Sequence, residues 1–390
     1  MRRTLIGIAA IIVLLAIFFF ALAPGIIERS MNKVAPGPLP AVTAETRALH
    51  GALAIVDLHA DTLLWKRSLL NDSTRGQVDL PRLQTGNVAL QLFSSVTKTP
   101  RNQNYDVNGA DSDNITLLAI AQAQPIRTWG SLLERSLWHA EKLRAAEAAS
   151  QGTLRIVRTG ADISRLMSDR ALGRPVTGAM LTIEGLQNLE GKRENLDALY
   201  AAGFRMAGLA HFFDNELAGS MHGEKKGGLT PFGREIVRAM EAKGMIVDIA
   251  HASHQAVAEI LAMAERPVVS SHGGVQAVCN VNRNLTDAEI RGIARTGGLI
   301  GIGYWDAALC DTQVESFARA VVHARDLVGI RHVALGSDFD GAVTTRIDTA
   351  QLAEITQALV DVGLSHAEIR AVMGGNALRL LATGLNPGGD

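Results

Sequence analysis

Net charge is the first thing this chain lacks: 38 lysines and arginines stand against 39 acidic residues, and no basic block interrupts the sequence. An electrostatic partner such as nucleic acid is therefore not indicated. Cysteine is nearly absent, with only Cys279 and Cys310. Such a pair permits one bridge in an oxidising compartment, closing a loop of about 30 residues worth roughly 3 to 4 kcal/mol in the chain-entropy treatment; two free buried thiols are the other reading. Internal repeats and low-complexity tracts are missing beyond the N-terminus. What remains is globular in character, 47% hydrophobic and 20% charged, and 390 residues hold one large domain or two ordinary ones.

One long apolar run is present. Arg2 and Arg3 precede Leu5 to Ala23, about the length that crosses a bilayer as a helix. Ala21-Leu22-Ala23 fits a small-residue cleavage pattern, but Pro24 follows at once and the run exceeds a usual signal core, so residues 1–30 read as an uncleaved transmembrane anchor. Positive charge ahead of it places the bulk of the chain outside the cytoplasm, on the periplasmic side; cleavage would leave a secreted or periplasmic protein. Residues 31–48, with Pro36, Gly37, Pro38 and Pro40, read as a semi-rigid spacer that stands the main domain, 49–385, off the membrane.

Eight apolar, β-rich runs follow, most of them separated by helical patterns: 54–58, 88–96, 177–183, 204–210, 245–250, 267–271, 299–305 and 332–335. Between 97 and 175 lies a long insertion, helical near 115–123 and 131–149, whose polar start at 101–114 reads as a surface loop able to cover a site. Pro231 to Lys243 is an amphipathic helix stopped by Gly244, and Thr286 with Glu289 forms a capping box. Strands alternating with helices predict an α/β fold with a parallel sheet, and eight units match a closed (β/α)8 TIM-type barrel. An open doubly wound sheet would carry a glycine-rich phosphate turn after its first strand, and His59-Ala60-Asp61 is no such turn.

In a barrel the C-terminal strand ends share one rim. His59, Asp61, Glu184, His211, His251, His272 and Asp338 all fall at such ends, although any one alone reads as a core histidine or a solvated acid. Three histidines and two carboxylates exceed the needs of one tetrahedral zinc, whereas two metals sharing a carboxylate use them all. Glu184 is the natural bridge, with His59 and Asp61 on one ion and His251 and His272 on the other. Water between two such cations loses a proton near neutral pH and becomes a nucleophile.

From about Ile55 to Leu381 the chain resembles the membrane dipeptidase (renal dipeptidase) family of zinc metallopeptidases, in the amidohydrolase-type barrel group. The resemblance rests on residues 56–62, Glu184-Gly185, 228–233, 248–251, Ser271-His272, Asn282-Arg283-Asn284 and 336–341. It implies two zinc ions on the five ligands just given. It also implies that His211 polarises the scissile carbonyl, that Arg283 holds the substrate's terminal carboxylate and that Asp338 carries a proton to the leaving amine. Cys279 and Cys310 match a family disulfide, and family members are often homodimers. The chain ends in a polar tail, 386–390, where animal members carry a lipid-anchor signal, and 211–215 looks more like bacterial members.

Other residues have two readings each. Asp57 and Asp248 either orient imidazoles or bond backbone as buried acids. His222 and His254 read as solvent-facing or helical surface, Lys225 and Lys226 as a solvated pair, and Trp305 as core or pocket rim. The functional expectation is dipeptide hydrolysis by a hydroxide bridging two metals. Its competitors are the same centre acting on another small amide or lactam, such as an N-acyl amino acid, and an inactive membrane-tethered binding protein.

Overall fold

Continuous apolar runs such as Val88–Val96, buried at every position, need cover on both faces, and a parallel sheet wrapped by helices supplies it. The computed structural model describes residues 2–385; the polar tail at 386–390 lies outside the described residues. Its main sheet contains β1 Ile55–Ala60, β2 Val88–Val96, β3 Leu154–Ile156, β4 Thr177–Glu184, β5 Phe204–Gly208, β6 Ile246–Asp248, β7 Val269–Ser270, β8 Leu299–Ile302 and β9 Val333–Leu335. Neighbours run β2-β1-β9-β8-β7-β6-β5-β4, and β4 pairs back to β2 from Leu90↔Gly178 to Val96↔Glu184, which closes an eight-stranded parallel barrel.

The remaining strand, β3, pairs with residues 177–179, the lower part of the β4 edge that β5 takes from Leu181 onward. This strand and helix Gly160–Ala171 lie inside the stretch read from sequence as an insertion. Three strand residues are too few to display alternation, so that reading is corrected. Helix signals fared better: Thr230 accepts from Gly233 N to open Pro231–Lys243, Gly244 ends it at φ 72°, and the Thr286–Glu289 capping box opens Asp287–Arg295.

One apolar cluster takes a residue from each of the eight barrel strands, among them Val56, Leu90, Met180, Met206, Ile246 and Leu299, and joins them to Ile163, Leu166, Leu380 and Leu381. Helices Gly160–Ala171 and Asn376–Gly384 therefore close one end of the barrel, and the ionisable residues are left to the other.

Arg2–Met31 is one apolar helix, exposed over most of residues 2–22. Its ladder widens to a π turn at Phe18–Leu22, just ahead of Pro24, which has no N–H to continue it. The following stretch does not stand free as a spacer. Lys33 N donates to Val343 O at 3.0 Å, Ala35 N to Thr345 O at 2.7 Å, Gln77 Nε2 to Lys33 O at 3.2 Å, and helix Ala44–Gly51 starts within it. Its prolines suggested a stiff exposed rod, but the amides just ahead of them still need acceptors, and the barrel's loops provide them.

Candidate metal centre

The seven ionisable residues read from the sequence as strand-end residues all lie at or just past the end of a barrel strand. His59 is in β1 and Asp61 follows it; Glu184 closes β4; His211, His251, His272 and Asp338 occupy the turns after β5, β6, β7 and β9. Two buried acids pin these turns. Asp57 Oδ1 accepts from the amides of His59 (3.2 Å) and Ser337 (2.9 Å), and Asp248 Oδ1 from those of Ala250 (3.0 Å) and Ser271 (2.9 Å). Both bond backbone rather than imidazole, which decides between the two roles open to them. His251 and Asp338 sit at φ 65° and 59°, left-handed conformations costing a non-glycine residue roughly 1–2 kcal/mol and tolerated where the surroundings over-determine them.

The side chains meet around Glu184. Its Oε1 lies 2.8 Å from His251 Nε2, 3.2 Å from His272 Nε2 and 3.6 Å from His59 Nε2, while Oε2 lies 3.3 Å from His211 Nε2. His59 Nε2 is also 3.4 Å from Asp61 Oδ1 and 3.9 Å from Asp338 Oδ1. All are buried. Burial works against a charged His59, but Glu184 and Asp61 outweigh it and raise the imidazole to about 10. Burial pushes Glu184 well above the carboxylate range, with Asp61 adding to the effect. It also pushes Asp338 up to about 8, against the pull of His59 and Arg283. His211, His251 and His272 are lowered by burial and so stay neutral.

This donor set suits divalent cations. The Nε2 atoms of His251 and His272 face each other at 3.0 Å, and His59 Nε2 and Asp61 Oδ1 are buried without a hydrogen-bond partner. Once deprotonated, imidazoles and carboxylates converging in this way are the ligands zinc and similar ions take, and binding a cation would displace the protons that burial and mutual proximity leave on this cluster. Three overlapping sets, His59–Glu184–His272, Glu184–His211–His251 and His59–Asp61–Asp338, each bring their ligand atoms within 4.8 Å of one another.

Arg283 is buried beside the cluster. Its Nη2 donates to His272 O at 3.0 Å and lies 3.4 Å from His251 Nε2, its guanidinium is 5.6 Å from the Trp305 ring, and its Nε has no partner. Trp305 is thus fully buried and packs against the site. Cys279 and Cys310 are joined as a disulfide, Cys279 lying in the same loop as Arg283. A cavity of about 600 Å³ opens over Asp61, Glu184, His211, His251, Arg283 and Asp338, and Gln103 and Tyr105 from the 101–114 loop line it too.

Two contributors were given no part in the site from the sequence. Ser271 Oγ lies 2.8 Å from His272 Nδ1 and 3.5 Å from His59 Nδ1, supporting two imidazoles at once; a serine before a histidine carries no pattern that announces this. His222, expected in solvent, is fully buried, stacked on Phe212 at 4.6 Å and 5.2 Å from His251. Its loop is polar in composition, yet Met221 N donates to His251 O at 2.9 Å, so the loop folds back over the strand ends. His254, by contrast, is a half-exposed helical residue paired with Glu289 at 2.6 Å, and Lys225 is exposed.

The family model of membrane dipeptidases, peptidase family M19, matches residues 43–384. The chain is 28% identical over 403 residues to the dipeptidase aclJ of Aspergillus oryzae, an alignment covering 97% of this chain and 89% of that protein. The probable dipeptidase PvdM from Pseudomonas aeruginosa shares its fold with TM-score 0.73 at 18% identity, over 88% of this chain and 98% of the other. A metallo peptidase from Rhodobacter sphaeroides, liganded with a phosphinate mimic of the dipeptide L-Ala-D-Ala, does so with TM-score 0.69 at 22% identity, over 84% and 98%.

Proposed function

Because the chain belongs to the membrane dipeptidase family of metallopeptidases and is a peptide-hydrolysing enzyme, we propose that it cleaves dipeptides with two zinc ions. His59 and Asp61 would hold one ion, His251 and His272 the other, and Glu184 both. Bound there, the ions supply an acidified water as nucleophile and positive charge for the developing oxyanion.

The chain's own residues do the rest. Arg283, buried and with an unpartnered Nε, forms a charge-assisted pair with the free carboxylate of the substrate, which restricts the enzyme to short peptides. That contact sets the scissile carbonyl near His211, whose Nε2, 3.3 Å from Glu184 Oε2, is turned to the same centre and hydrogen-bonds the carbonyl oxygen as charge builds on it. Water adds its oxygen to the carbonyl carbon, the C–N bond breaks, and Asp338, in the same cavity, passes the proton from the water to the departing amine. The Rhodobacter sphaeroides neighbour carries a mimic of a small dipeptide, which supports that substrate class. The N-terminal helix is assigned as an uncleaved membrane anchor that holds the barrel outside the cytoplasm.

The observation that carries this reading is the convergence of buried, metal-seeking side chains on Glu184 beside a buried arginine whose Nε has no hydrogen-bond partner among the described residues. Metal analysis of the purified chain is expected to give two zinc equivalents, and hydrolysis of a panel of L,L and L,D dipeptides is expected to stop on chelation and return with zinc. Turnover indifferent to chelator would overturn the proposal. Preference for N-acyl amino acids over every dipeptide would move the same centre to the alternative amide substrate.

A further inference from the structure

The cavity over the metal centre has a wall that hydrolysis of a small dipeptide does not use. Phe19, Ala23, Ile27 and Met31 recur at every fourth position of the N-terminal helix, so they form one stripe, and all line the cavity. Leu64, Ile115 and Leu118 line it too, the last two from helix Asn114–Ala121, which packs beside the N-terminal helix. Ile27 and Met31 remain 38% and 42% exposed, so this apolar trough is open rather than filled by the chain's own side chains.

The helix is fixed in height and rotation against the barrel. Glu28 is 1% exposed, with Oε1 2.6 Å from Arg67 Nε and Oε2 3.2 Å from Arg75 Nε. Lys66 Nζ donates to Phe20 O at 3.2 Å. Arg67 also pairs with Asp340, in the turn that carries Asp338. A tether needs none of this, since a helix that only anchors can leave its foot solvated. Burying an acid between two arginines is costly unless the geometry is used.

Substrate polarity then places what the trough would hold. Arg283 fixes the carboxylate on the amine half of the amide, so the acyl half extends to the other side of the scissile carbonyl. A 600 Å³ cavity is within the size that encloses drug-sized ligands, and a dipeptide of two small residues leaves much of it empty. Resting on the dipeptidase reading above, we propose that the N-terminal helix is one wall of the substrate site, and that the trough selects amides whose acyl half carries a large apolar group. Two sources share that chemistry: a dipeptide beginning with a large apolar residue, and a fatty N-acyl amino acid.

The test uses the full-length, zinc-loaded chain in detergent micelles and two series of ligands. Phosphinate mimics of Ala-Ala, Leu-Ala and Phe-Ala are titrated by calorimetry. Ala-Ala, Leu-Ala, Phe-Ala and N-octanoyl-alanine are assayed for hydrolysis. Affinity is expected to tighten ~10-fold or more from the Ala to the Phe mimic, as burial of a large apolar side chain requires, and kcat/KM to rise in parallel through KM. Whichever of Phe-Ala and N-octanoyl-alanine gains more identifies the source. Ala23→Trp, which fills the trough, and Ile27→Ser are expected to flatten the Phe-to-Ala ratio in both series. Ile26→Ser, on another helical face, should preserve it. A ratio near one in the native chain, or one untouched by Ala23→Trp, overturns the proposal. Retained tight binding of the Phe mimic with no hydrolysis of any dipeptide would leave the apolar subsite standing and overturn the dipeptidase reading instead.

Discussion

A buried guanidinium with an unsatisfied donor is costly to the folded chain, and Arg283, whose Nε has no hydrogen-bond partner among the described residues, is in that position within reach of the metal-seeking cluster. The charge-assisted bonds it offers a substrate carboxylate are worth roughly 1.5–3 kcal/mol each. Arg283→Ala is therefore expected to raise KM by about 10- to 100-fold while leaving the metal content intact. Steady-state kinetics beside metal analysis checks this, and loss of zinc from the variant would show that Arg283 supports the ligands rather than the substrate. At this scale the sequence was informative where a strand end announced itself. His59, Glu184, His251 and His272 each close an apolar run, and a barrel puts such ends together. Ser271 and His222 could not be found that way, because their roles depend on a neighbouring strand and on a loop folding back, neither of which leaves a local pattern.

The elements themselves divide along the same line. Long parallel strands and capped helices are written locally, in apolar runs and in pairs such as Thr286 and Glu289. The foot of the N-terminal helix is not, because its partners are remote: Glu28 meets Arg67 and Arg75 across dozens of residues, and a lone acid beyond an apolar run looks like a solvated flank. Breaking a buried pair of this kind exposes an uncompensated charge. Glu28→Gln is expected to destabilise the full chain by ~2–3 kcal/mol, below the usual cost of breaking a buried pair because Arg67 keeps Asp340 and Arg75 is partly solvated. Denaturant unfolding in detergent micelles measures it, and a double-mutant cycle with Arg67→Met should return a coupling of similar sign and at least ~1 kcal/mol. Strictly additive effects would mean that the helix foot is not held by this pair.

For the molecule as a whole, the barrel was legible because eight apolar runs in alternation with helices leave few parallel topologies. Strand β3 and the packed 31–48 stretch were not, one being too short and the other disguised by proline. Burial by that closed architecture also sets how the fold responds to acid. His139, on helix Leu132–Ala149, points at the barrel wall with Nδ1 2.8 Å from Ser95 Oγ and is 1% exposed. Burial, with Lys142 and Arg135 adding, lowers it to about 3, against about 6.5 in an unfolded chain. Between those values the unfolded chain binds a proton that the folded chain refuses, so stability falls as pH drops below ~6.5 and the loss continues to ~3, at about 1.4 kcal/mol per pH unit. Ligand protonation at the metal centre also weakens the fold in acid, so the two must be separated by difference. Comparing the native chain with His139→Gln by denaturant unfolding, the gap in stability at pH 7.5 should shift by about 2 kcal/mol in the variant's favour at pH 5, with or without chelator. A gap that stays constant with pH would mean that His139 takes up its proton inside the folded wall, and that the interface between helix and barrel is wetter than its packing implies.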